Sequence, residues 1–202
     1  MLPPPSVIGL LILAFSSCHA AELVDGRGIK FNPCQAVKPG ARASSPPANV
    51  YFNSNGSMYN ILRAQKTLAF LRGIGAFAGC GAGAKPCAVV DIGAGQEAPR
   101  LVMKQMGLEH VAYLPVDYKA RSPDTIVCNL NNIEFPHAQL EGYNVVGFLA
   151  LGSLEYVIHR WALVASLAMY PNTVTVIHYQ FGAIYSDQDF AWLWQFYGLA
   201  LR

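Results

Sequence analysis

Asp91, Gly93, Gly95 and Asp117 are the residues of this chain whose types and spacing could do chemistry. Asp91 stands in the β-branched run Val89-Val90-Asp91-Ile92, which suits a central strand covered on both faces. Gly93 and Gly95 follow at once, and a backbone without Cβ can turn tightly there and approach a ligand closely. Asp117 closes a second strand-like run, residues 111–117. It follows Gly95 at close to the spacing of about 20 residues at which a ribose-binding acid follows a glycine turn. A carboxylate at a strand end can accept both ribose hydroxyls. A strand, a glycine turn and a helix N-terminus together predict a cradle for a nucleotide-like ligand, against the simpler alternative of a tight βα turn with no ligand.

Those residues need a sheet to position them. From Glu97 onward Ala98, Leu101, Val102 and Met106 recur at helical spacing, so the glycine turn opens a helix. A longer amphipathic helix is predicted over residues 58–77, with Ser57 as its N-cap. Further strands are predicted at 125–130, 143–150 and 173–179. Further helices are predicted at 157–170 and from Asp187 to about residue 197. Strands alternating with helices predict an α/β fold with a mostly parallel sheet.

Hydrophobic residues make up 53% and charged residues 13% of 202 residues, which predicts one ordinary domain with a full core. The net charge of +2, without a dense basic block, leaves no nucleic-acid footprint. Residues 1–21 carry an apolar run at 7–15 and a small-residue exit at Ala20-Ala21. They read as a signal peptide, an anchor or an incidental apolar segment. Residues 22–56, rich in Pro, Gly, Ala and Ser, read as an irregular lead-in, and residues 57–202 as the α/β domain. Of the five cysteines, Cys80 and Cys87 could close a small loop, but their spacing is not that of a metal site. Cys128 falls in a predicted buried strand, and free thiols are the preferred reading.

The pieces Val90-Asp91-Ile92-Gly93-Ala94-Gly95, Asp117, Asn129-Leu130-Asn131 and Gly147 to Tyr156 together resemble the class I S-adenosylmethionine-dependent methyltransferases. The resemblance covers residues 58–197 and implies a Rossmann-like three-layer sandwich. It implies S-adenosylmethionine as cofactor and methyl transfer to an acceptor, with a small molecule as the default. By the same resemblance Asp91, Gly93 and Gly95 would hold the methionine end of the cofactor. Asp117 would bind the ribose and Tyr118 would lie against the adenine. Asn129 stands where the family often has an acid near the adenine amino group. Leu151, with the residues up to Glu155, would line the exit toward the acceptor. His178, at the end of the fifth predicted strand, is the best placed of His159, His178 and Tyr179 as a general base.

The family sheet has two more strands after the fifth, and too few residues follow Tyr179 to supply both. The sheet is therefore expected to lack its last one or two strands and to expose an edge through which two copies could pair. The competing resemblance is to nicotinamide-binding Rossmann oxidoreductases, since Gly93, Gly95 and Ala98 also fit their fingerprint. Asp91 weighs against them, because a carboxylate beside the turn repels a pyrophosphate and suits a sulfonium. A non-catalytic protein that keeps the fold is the third alternative. An intracellular site is expected, where the cofactor is made.

Overall fold

The structure, a computed structural model, describes residues 8–14, 32–34, 55–170 and 172–180. A six-stranded sheet forms its centre. The strands are β1 (Ile8–Ala14), β2 (Cys87–Ile92), β3 (Ala112–Asp117), β4 (Ile126–Val127), β5 (Asn144–Leu151) and β6 (Val174–Gln180), in the order β1-β6-β5-β2-β3-β4. β2 to β6 all run parallel, and β1 lies antiparallel against β6. Every residue of β2 is buried, as its β-branched run predicts for a strand with neighbours on both sides.

Alternation along the strands divides the core into two layers. Val89 and Leu149 pack with Ala64, Leu68 and Leu71 of helix α1 (Asn55–Gly73) and Val102 and Met103 of helix α2 (Ala98–Gln105). On the other face Val90, Ile92, Phe148 and Ile177 meet Leu140 of helix α3 (His137–Leu140). Leu163, Val164 and Leu167 of helix α4 (Arg160–Ala168) complete that layer. The result is the three-layer, Rossmann-like α/β sandwich. From β2 the chain works outward through β3 to β4, then crosses to the far side of β2 for β5 and β6. The strand order therefore reverses between β2 and β5, and the crevice beyond their carboxyl ends is where such sheets bind ligands.

Three expectations are corrected. The β6 edge is not open. Residues 8–14, within the apolar segment read as a signal peptide, an anchor or an incidental run, pair with it from Ile8 opposite Gln180 to Ala14 opposite Val174. The sheet thus gains an outer antiparallel strand from the N-terminal side. The four described cysteines are not free thiols. Cys34 bonds Cys128 and Cys80 bonds Cys87, with Cα atoms 4.7 and 5.5 Å apart. Such bonds form and persist in oxidising compartments. The third predicted strand is also shorter than residues 125–130, because Asn129 leaves the strand to cap a 3₁₀ turn at Leu130–Asn132. The cleavage point after Ala20 and the last predicted helix lie outside the described residues.

Candidate functional site

A cleft of about 540 Å³ opens beyond the carboxyl ends of β2, β3, β4 and β5, within the size range of small-ligand sites. Gly93, Gly95, Asp117, Tyr118 and Asn129 line it, so five of the sequence-predicted residues come together. Gly152 and Ser153 close it from the β5 side, and Tyr156 forms its rim.

The glycine turn is fixed from two directions. Gly93 sits at φ +71°, in the left-handed region, and a Cβ there would overlap Ser153 Cβ. Ser153 in turn donates its hydroxyl to the carbonyl of Ile92, locking the β2 and β5 loops together across the switch point. A Gly93→Val substitution adds about 1–2 kcal/mol of left-handed strain and about 1–3 kcal/mol of overpacking. Denaturant unfolding should therefore show a loss of about 3 kcal/mol, and a loss below about 1 kcal/mol would mean that the turn does not need glycine here.

The amides of the turn face β3. Gly93 and Ala94 both donate to the carbonyl of Val116, at 2.8 and 3.0 Å, and Gly95 donates to Asp117 Oδ2 at 2.9 Å. Glu97 precedes helix α2 at φ +55°, accepts from Arg100 Nε at 2.8 Å, and is followed by Pro99, which has no amide hydrogen. Arg100 also reaches Asp124 at 2.9 Å, pinning the loop after β3 to the start of α2. The turn amides thus offer an anion little, and the acids near them are paired with Arg100 and Arg121.

Asp117 is 4% exposed. Its Oδ1 accepts from the Lys119 amide at 3.1 Å and faces Arg121 Nε at 3.3 Å as an ion pair. Arg121, four residues on, was not predicted as part of the site, and the chain between them bends after β3, where no regular spacing marks an ion pair. Tyr118 is 57% exposed, with the Lys119 ammonium and the Arg121 guanidinium over its ring at 5.0 and 5.6 Å.

Three predicted residues do not line the cleft. Asp91 lies beneath it, 3% exposed, with the Tyr113 hydroxyl donating to its Oδ2 at 2.6 Å. Burial pushes the Asp91 carboxyl up to about 7. The Tyr113 bond opposes that rise, the Glu97 and Asp117 charges reinforce it, and the Arg63 charge opposes it. Leu151 packs against the α1 side, and the backbone turns into the cleft only at Gly152. His178 ends up next to α1, its Nδ1 3.3 Å from Arg63 Nη1. Burial, then the charges of Arg63 and Lys66, hold the imidazole below its ordinary value. An arginine can only donate, so Nδ1 accepts and the neutral ring carries its proton on Nε2. That tautomer makes His178 a donor rather than a ready general base.

Asn129 lines the cleft, but its side-chain oxygen and backbone amide already have partners. Its Oδ1 accepts from the Asn131 amide at 3.1 Å, and its own amide donates to Glu134 Oε2 at 2.7 Å. Asn131 then donates to the Tyr156 carbonyl and accepts from the Ile158 amide, tying this wall to the opposite rim. The implied contact to an adenine amino group therefore competes with a cap.

Comparison of the chain with protein-family models, with curated proteins and with solved structures found no match in any of the three. The methyltransferase resemblance accordingly rests on the motif residues and on the geometry around them.

Proposed function

We propose that the cleft binds S-adenosylmethionine and that the chain transfers its methyl group to a small-molecule acceptor. The observation that carries this reading is the direction of the turn amides. With Gly93, Ala94 and Gly95 all donating to β3, the backbone that would cradle a pyrophosphate is already engaged. Asp91, only partly ionised near pH 7, lies with Glu97 and Asp117 about the turn. Although Arg100 and Arg121 pair with the latter two, this carboxyl cluster suits a ligand bearing an ammonium and a sulfonium better than a dinucleotide. The buried Asp117 carboxylate at the end of β3 is suited to ribose hydroxyls. Methyl transfer itself asks mainly for alignment of the acceptor with the breaking sulfur–carbon bond, so a cleft of this kind could supply much of the rate.

Binding without turnover is the second reading, favoured by the engagement of His178 with Arg63. Calorimetry with S-adenosylmethionine, S-adenosylhomocysteine and NAD tests the proposal. The first two should bind and NAD should not. Folded protein that binds neither adenosyl compound would remove both readings, and preferential NAD binding would restore the oxidoreductase.

A further inference from the structure

We propose that the Cys34–Cys128 disulfide is a redox-set latch on the cleft, holding the 129–134 wall in its ligand-accepting shape while oxidised and releasing it when reduced. The identity of the occupant rests on the reading above, but the mechanics of the latch do not. Cys128 itself lines the cleft, and its amide donates to the carbonyl of Asp117 at 2.9 Å. One bond therefore joins the proposed ribose acid to the disulfide.

Cys34 belongs to a short strap, residues 32–34, that clasps this wall from outside. The Asn32 amide donates to the Ile133 carbonyl at 3.0 Å, and the Phe135 amide donates to the Asn32 carbonyl at 3.3 Å. The Asn32 side chain donates to the Asn132 carbonyl at 2.8 Å. Between these bonds Ile133 is held at φ +56°, a left-handed conformation that a β-branched residue adopts only under constraint. Glu134, paired with the strap, is the residue whose carboxylate holds the Asn129 amide. Without its covalent anchor the strap leaves Ile133 free to relax, and the cap at Asn129 moves with it.

Reduction is chemically simple. Dithiothreitol supplies two electrons and two protons, the S–S bond becomes two thiols, and the reductant closes to its cyclic disulfide. Cys80–Cys87 is a built-in control, because Cys87 begins β2 at the end of the sheet away from the cleft.

The test compares the full oxidised chain with Cys34→Ser/Cys128→Ser and with Cys80→Ser/Cys87→Ser. It reads amide hydrogen exchange over residues 128–135 and calorimetric affinity for S-adenosylhomocysteine. The first variant should lose about tenfold or more in exchange protection across that wall and about tenfold in affinity, while the second keeps both. Unchanged exchange, or an equal loss in the two variants, overturns the latch. If the first variant does not fold, redox titration of the native chain in dithiothreitol buffers decides. Bound S-adenosylhomocysteine should make Cys34–Cys128 harder to reduce by about tenfold, near 30 mV for two electrons. An unmoved midpoint overturns the proposal. If oxidised protein binds no adenosyl compound, the methyltransferase reading falls, and hydrogen exchange alone still judges the latch.

Discussion

Asp117→Ala is expected to weaken S-adenosylhomocysteine binding by about a hundredfold to ten-thousandfold. Two hydrogen bonds from ribose hydroxyls to a carboxylate are each worth about 1.5–3 kcal/mol. Their joint loss gives that range at about 1.4 kcal/mol per tenfold. The substitution also reaches the fold. It leaves the Gly95 and Lys119 amides and the Arg121 guanidinium without their carboxylate partner, at about 1–3 kcal/mol for each buried group that water does not reach. Asp117→Asn separates the two effects, since it retains an acceptor for Gly95 but loses the charge. Binding by calorimetry and stability by denaturant unfolding should then diverge, with affinity falling far more than stability. Equal affinity in either folded variant would take Asp117 out of the site. Arg121 adds a second arm. It pairs with Oδ1, so a ribose that uses both carboxylate oxygens must displace it or share that oxygen with it.

What was legible in the sequence was local. The run ending at Ile92 and the turn at Gly93 and Gly95 announce themselves within ten residues, because β-branching and missing Cβ atoms act on the backbone directly. Asp117 was found by a spacing that one βαβ unit fixes. The residues that were missed or misread depend on contacts that spacing does not encode. An apolar run at residues 8–14 has the same composition whatever its role, and its pairing with β6 depends on residues 174–180, far away in sequence. The Cys34–Cys128 bond spans 94 residues, and no local signal selects that partner. Asp91 was read, from its place before the turn, as an acid that orients the ligand's ammonium directly or through water. Its side chain instead follows the strand alternation under the sheet surface, where Tyr113 from β3 meets it. Asn129 is the opposite case. An Asn two residues before the amide from which it accepts is an ordinary capping signal, independent of the family pattern.

Asp91→Asn is expected to change how stability depends on pH, and how binding does. The folded carboxyl titrates near 7, chiefly because burial penalises its charge, against about 3.9 for the unfolded chain. Between those values the folded state holds a proton that the unfolded state has lost. The favourable contribution of this group is therefore fully present below about pH 4 and is lost as pH rises through about 7. Relative to Asp91→Asn, the unsubstituted protein should lose up to about 1.4 kcal/mol per pH unit across that window, on the order of 4 kcal/mol in all, and the difference should be flat above it. Denaturant unfolding at successive pH values measures this, and a pH-independent difference would mean that Asp91 is ionised throughout.

The same group reports on the ligand. A sulfonium and an ammonium in the cleft lower the Asp91 pKa, so binding of S-adenosylmethionine near pH 7 should release a fraction of a proton. A pyrophosphate would raise the pKa and draw a proton in. Calorimetry in buffers of different ionisation enthalpy reads the sign directly, and Asp91→Asn should abolish it. Proton uptake on binding, abolished in the variant, would favour an anionic ligand and count against methyl transfer.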